Sequence, residues 1–191
     1  MVLKAKWTLS DLSPHLWAFA SLTIFWSGQA AAQTAGSTHG VANAEVVAPI
    51  RAVPLADLSF GGISVDQGGA GEVRVDSSGS TVEYLQAAKP QCGGMQECAP
   101  HPARFAVFGA ADQTYAVSLP SQIVAYGRRT GRGLDVSGLE MRSINAPSQS
   151  SGGRLDGAGQ DTFFVGGILS VPAGTQSDAF TAELPVTVFY N

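Results

Sequence analysis

The sequence predicts an all-β protein, an antiparallel β-sandwich or barrel. Three observations point there. Short runs of β-favouring residues recur along the chain, glycine- and serine-rich turns separate them at regular intervals, and no window after the N-terminal region sustains an amphipathic helical period. With 191 residues the chain suits one domain of ordinary size. Only 14% of residues are charged, against 23 glycines and 10 prolines, which fits a folded, turn-rich protein. A formal net charge of −4 argues against a nucleic-acid partner, which needs a clustered basic excess.

The N-terminus reads as a secretory signal peptide over residues 1–32. Lys4 and Lys6 precede an apolar run, Leu16 to Trp26, and Ala30-Ala31-Ala32 supplies a small-residue cleavage site. The run is about half the ~20 residues that would span hydrocarbon, so no membrane span is expected in the mature chain. Export to the periplasm, the cell surface or the medium follows. Residues 33–40 form a short flexible extension, and 41–191 form a single domain.

The segment Val41–Ile50 alternates, with Ala42, Ala44, Val46, Ala48 and Ile50 on one side and Asn43 and Glu45 on the other, as in a half-buried strand. Further strands are expected at Leu55–Phe60, Gly71–Asp76, Thr81–Leu85, Ala103–Phe108, Thr114–Leu119, Gln122–Tyr126, Leu134–Ile144, Asp161–Val171 and Ala179–Tyr190. In the last of these, Ala182, Leu184, Val186, Val188 and Tyr190 share one face. Pro185 cannot donate to a ladder, so that strand is expected at a sheet edge or only partly paired. An apolar edge invites pairing with another chain unless it is covered.

Two cysteines, Cys92 and Cys98, follow the signal region. In an exported chain, an even number at close spacing predicts one local disulfide, worth about 2 kcal/mol through the closed loop. The alternative, a metal site with His101, lacks a fourth ligand. No metal or cofactor is expected.

Enzyme machinery is sparse. Outside the signal region the histidines are His39 and His101, and no G-x-S-x-G elbow occurs. Asp66, Asp76, Asp156 and Asp161 read as turn formers. Asp156–Asp161 lacks the carboxylate density of a calcium loop, and Gly68, Gly69 and Gly71 have no P-loop lysine after them. Arg128, Arg129 and Arg132 read as a solvated hairpin tip rather than a polyanion site. A non-enzymatic role is expected.

A set of short motifs in order, A-E-V-V-A-P-I (Ala44–Ile50), L-S-F-G-G-I (Leu58–Ile63), R-F-A-V-F-G (Arg104–Gly109) with T-Y-A-V-S-L-P (Thr114–Pro120), F-V-G-G-I-L-S-V-P-A-G (Phe164–Gly174) and V-T-V-F-Y-N (Val186–Asn191), resembles the bacterial exported family known as domain of unknown function 4402. That family looks like a relative of fimbrial subunits and of spore coat protein U-like domains. The resemblance implies an immunoglobulin-like, pilin-like sandwich, incomplete until a strand from a neighbouring subunit complements it. Self or related subunits are the implied partners, with a periplasmic chaperone and an outer-membrane usher assembling them. Ala42, Ala44, Val46, Ala48 and Ile50 are the implied complementing residues, because main-chain pairing with alternate side chains in pockets requires such alternation. Leu184, Val186, Val188 and Tyr190 are the implied edge-strand and chaperone-recognition residues. Whether Val41–Ile50 is donated outward or folded inward is open at this level. If it folds inward, the chain is a self-complete binding module, with ligands held by loops such as Lys89–Pro102 or Tyr126–Gly133.

Overall fold

The computed structural model of the chain describes residues 44, 46–66, 68–91 and 99–191. The expected signal peptide, the 33–40 extension, Ala42, His39 and both cysteines lie outside the described residues. Residues Ala44–Asn191 form one compact unit.

The fold is an antiparallel β-sandwich, with no helix among the described residues. The thirteen strands among the described residues are β1 (Arg51–Ala56), β2 (Ile63–Val65), β3 (Gly71–Val75), β4 (Val82–Gln86), β5 (Ala88–Pro90), β6 (Ala103–Phe108), β7 (Thr114–Ser118), β8 (Gln122–Gly127), β9 (Gly133–Ser143), β10 (Gly152–Arg154), β11 (Gln160–Val171), β12 (Phe180–Thr181) and β13 (Thr187–Tyr190). One large sheet runs β1-β6-β11-β9-β8-β12, with β3 also paired to β11 and β4 to β3. The opposing layer consists of a three-stranded sheet, β10-β7-β13, and a two-stranded sheet, β2-β5.

β11 organises the large sheet. One flank pairs β6 through Gln160–Val165 and then β3 through Gly167–Val171, while the other flank pairs β9 along its length. The hand-over falls at Gly166-Gly167, where the β9 pairing also shifts register. Its odd-numbered residues from Asp161 to Val165 point inward, and the sandwich buries them.

Two apolar clusters fill the interior. In the first, Ala103, Val107, Met141, Phe163 and Val165 of the large sheet meet Tyr115 and Val117 of β7, with Val188 and Tyr190 packed beside them. Phe163 stacks on Phe105 at 5.1 Å between ring centroids, with Tyr115 tilted against it at 6.4 Å. In the second, Ala125, Leu134, Val136, Leu169 and Val171 pack under Ile63 and Val65 of β2.

Three expectations are corrected. The strand over Leu55–Phe60 does not form: β1 ends at Ala56, and Ser59 makes only an isolated bridge to His101. The strand over Val41–Ile50 does not form among its described residues. Ala44 and residues 46–50 carry no regular structure, Val46 is 95% exposed, and the first strand begins at Arg51. Residues 46–50 have no ladder partner, so their alternation has no sheet to act on. The strand over Ala179–Tyr190 divides in two. β12 pairs β8 and β13 pairs β7, so the two pieces belong to opposite layers. Pro185 lies in the irregular crossing between them, where a missing N–H costs no ladder bond.

Candidate functional site

The C-terminal edge takes its geometry from β13. This strand pairs β7 with Val188 opposite Val117 and Tyr190 opposite Tyr115, and among the described residues its other flank carries no strand. β1 is likewise paired on one side only, to β6, and it approaches β13 across the seam of the sandwich. The inward alternation expected from the sequence holds beyond the strand itself. Leu184, Val186, Val188 and Tyr190 are all partly buried on the first core cluster, while Pro185, Thr187 and Phe189 are exposed. Leu184 and Val186 pack there without belonging to a strand.

Tyr190 joins three parts of the chain. Its hydroxyl accepts the Ala110 N–H at 2.7 Å and donates to the Ala48 carbonyl at 2.6 Å. Ile50 packs on the same core cluster, so the segment 46–50 crosses the end of β13 with its apolar residues Val46 and Val47 in solvent. Tyr190→Phe removes both bonds and keeps the ring. It is expected to cost about 1–2 kcal/mol in urea unfolding and to expose the Ala110 amide to faster hydrogen exchange.

Beneath this edge lies a polar cluster that the sequence reading missed. Asp161, read as a turn former, is instead a buried residue of β11, 6% exposed. Its Oδ2 accepts the hydroxyls of Tyr115 at 2.8 Å and Ser143 at 2.5 Å, and its Oδ1 accepts the backbone N–H groups of Thr162 at 2.7 Å and Asn145 at 3.2 Å. Ser143 in turn accepts the Ala146 N–H. A Cβ on Gly153 would stand 2.7 Å from Oδ2, so only glycine admits the Tyr115–Asp161 bond there. The signal was available: Asp161 has the parity of Phe163 and Val165, the buried face of the strand. Burial, followed by the bond to Asp161, raises the Tyr115 hydroxyl well above the usual tyrosine range. Because the folded chain then holds this proton more tightly than the unfolded one, its contribution is complete below about pH 10 and declines above it.

The arginine tip is the β8–β9 hairpin, closed by the Gly127 N–H donating to the Arg132 carbonyl at 2.8 Å. Asp178 clamps it. Its carboxylate accepts from Thr130 N and Oγ1, each at 2.7 Å, from Arg129 N at 3.0 Å and from Ala179 N at 2.8 Å, while the Arg129 guanidinium reaches the Ser177 carbonyl. The Thr130 hydroxyl, then the backbone donors of Thr130, Ala179 and Arg129, hold the Asp178 carboxyl below the usual carboxylate range. A depression of about 560 Å³ lies here, lined by Arg128, Arg129, Ser177, Asp178 and Ala179. The Asp178 carboxylate at its floor is already satisfied from within the loop. A depressed folded pKa means the clamp is present above the unfolded value, near 3.9, and is lost only as pH falls through the lower folded one. Hydrogen exchange should therefore find the Arg129 and Thr130 amides still protected at pH 3.5. Asp178→Asn should speed tryptic cleavage after Arg128 and Arg129.

The remaining sequence candidates are turns and connections. Asp156 accepts the Ala158 and Gln160 N–H groups, Asp76 accepts that of Ser78, and His101 makes a two-bond backbone bridge with Ser59. Among the described residues no group of three or more His, Cys, Asp or Glu is placed to hold a metal ion.

The family model described as Domain of unknown function (DUF4402) matches residues 50–190. No curated protein and no solved structure matches the chain. The chain belongs to the DUF4402 family, and the match takes in every strand of the sandwich.

Proposed function

We propose that this DUF4402 chain is an exported, non-enzymatic structural subunit of a surface fibre or coat, assembling with itself or related subunits by strand complementation. One observation carries the reading. An apolar segment, residues 46–50, leaves the sandwich unpaired beside a C-terminal strand that has a partner on one flank only. Among the described residues β13 and β1, the two sides of the seam, each pair a strand on one flank only. A strand laid along either gains a ladder of hydrogen bonds, and alternate side chains give the pairing its register. Ala42, Ala44, Val46, Ala48 and Ile50 supply that alternation. The resemblance to fimbrial and coat subunits adds a pilin-like, immunoglobulin-like description of the sandwich and a chaperone and usher that engage the edge ending at Tyr190; export rests on the signal-peptide pattern of residues 1–32. Assembly would take place in the periplasm, at the cell surface or outside the cell.

A second reading is a self-complete binding module. It is favoured by Ile50, which packs on its own core, and by the Tyr190–Ala48 bond, which holds the segment on its own domain. Val46→Asp separates the two. In a complementing subunit the charge enters an apolar pocket and abolishes multimers while export continues. In a self-complete module Val46 stays in solvent and the variant behaves like the parent. Multimers that persist both in Val46→Asp and after deletion of residues 33–50 remove the complementation reading.

A further inference from the structure

The outer face of the large sheet, opposite the core, carries an ordered set of arginines and aromatic rings. Inward residues of β6, β11 and β9 are buried, so Arg104, Ala106 and Phe108, Thr162 and Phe164, and Arg142 occupy the other side. Strand register fixes their neighbours. Phe164 stands opposite Arg104 on β6 and opposite Arg142 on β9, forming an Arg–Phe–Arg row. Four residues along β6, Arg51 stands opposite Phe108, and its guanidinium lies 4.7 Å from that ring's centroid. Val53, Ala106 and Thr162 fill the row between. An open depression of about 230 Å³ continues this face, lined by Ala106, Phe108, Ile144, Gln160 and Thr162 together with Asp156 and the buried Asp161. Ile144 is 57% exposed.

Arg51, Arg104 and Arg142 are exposed and join no salt bridge among the described residues, unlike Arg74, Arg129 and Arg154. Acidic groups also stand nearby: Asp156 and the buried Asp161 line the depression. Glu140 precedes Arg142 by two residues on β9, and Asp76, held low chiefly by the Ser78 N–H, also feels the Arg142 charge. In a chain of net charge −4, Arg51, Arg104 and Arg142 form a local basic row without salt-bridge partners among the described residues.

We propose that this face binds an acidic glycan. Charge complementarity requires an anionic partner. Adjacent strands lie about 4.8 Å apart, which places Arg104 and Arg142 about 10 Å from each other with an aromatic ring between them. That spacing suits a polymer of sparse carboxylates separated by sugar rings, whose C–H faces lie on Phe164 and Phe108 while Gln160 meets hydroxyls. It does not suit duplex nucleic acid, which carries a charge every ~1.7 Å along its axis.

The test is affinity electrophoresis of the full chain through gels containing polygalacturonate or, as neutral control, dextran. Retardation is expected in polygalacturonate alone and weakens as salt rises. Arg104→Gln/Arg142→Gln, and separately Phe164→Thr, should each lose about tenfold in affinity with an unchanged melting temperature. Arg128→Gln/Arg132→Gln, on the hairpin, should bind like the parent. Failure of the parent chain to bind polygalacturonate overturns the proposal. So does binding that survives the sheet-face variants but fails in the hairpin variant, or tighter binding to a single-stranded oligonucleotide.

Discussion

Asp161→Ala is expected to destabilise the protein by about 3–5 kcal/mol, a large share of the stability of a domain this size. The carboxylate accepts four donors within the sandwich, two hydroxyls and two backbone N–H groups. Removing it strands the two hydroxyls where water does not reach, because Tyr115 and Ser143 are each no more than 1% exposed, while the Asn145 and Thr162 N–H groups are only part-buried. Each orphaned buried donor costs about 1–3 kcal/mol, partly relieved where a hydroxyl can rotate. Tyr115→Phe and Ser143→Ala each remove one donor and leave the acceptor with three, so each is expected to cost only about 1–2 kcal/mol. Urea unfolding of the three variants, with unchanged m-values, checks the order. An Asp161→Ala loss no larger than that of Ser143→Ala contradicts this account of the cluster.

Gly166→Ala is expected to be at least as damaging as an overpacked core position, about 3 kcal/mol or more. At this point β11 exchanges β6 for β3, and the chain leaving β3 passes directly over it. A Cβ would fall on the Val75 carbonyl oxygen and 2.6 Å from the Ser77 nitrogen, both backbone atoms that no side-chain rotation can move. Relief requires β3 to separate from β11, taking β4 with it, since β4 pairs β3 alone. Gly157→Ala is the matched control, because a Cβ there meets nothing within 4 Å. Thermal unfolding should show a fall of at least several degrees for the first and little change for the second.

The strands were legible wherever alternation and turn residues agreed. Ala103–Phe108 has the bounds read from sequence, and β3, β4, β7, β8, β9 and β11 differ from their expected bounds by a residue or so at an end. At Val41–Ile50 the same alternation misled, because a period of two states which residues could share a face without saying whether a partner strand stands beside them. At Ala179–Tyr190 a single apolar pattern spans two strands in opposite layers. Side-chain facing was right through Leu184–Tyr190, but continuity of the ladder depends on neighbours far away in sequence. The Asp161 cluster depends on Tyr115, Ser143 and Gly153, brought together from four strands. The Asp178 clamp joins residues 48 or more positions apart. Only an aspartate on the buried parity of β11 announced the first, and no local pattern announces the second. The arginine–phenylalanine rows likewise emerge from register, which single-strand periodicity does not contain.

The central claim is that the segment ending at Ile50 completes a neighbouring sandwich. Its most direct measurement is the mass, by light scattering, of the chain recovered from a periplasm after expression with its own N-terminus, before and after denaturation and refolding. A complementing subunit gives a ladder of stable multimers, and after denaturation it refolds only when a peptide spanning residues 33–50 is supplied. A single monomer that refolds alone, with the peptide making no difference, contradicts the claim and leaves the self-complete binding module.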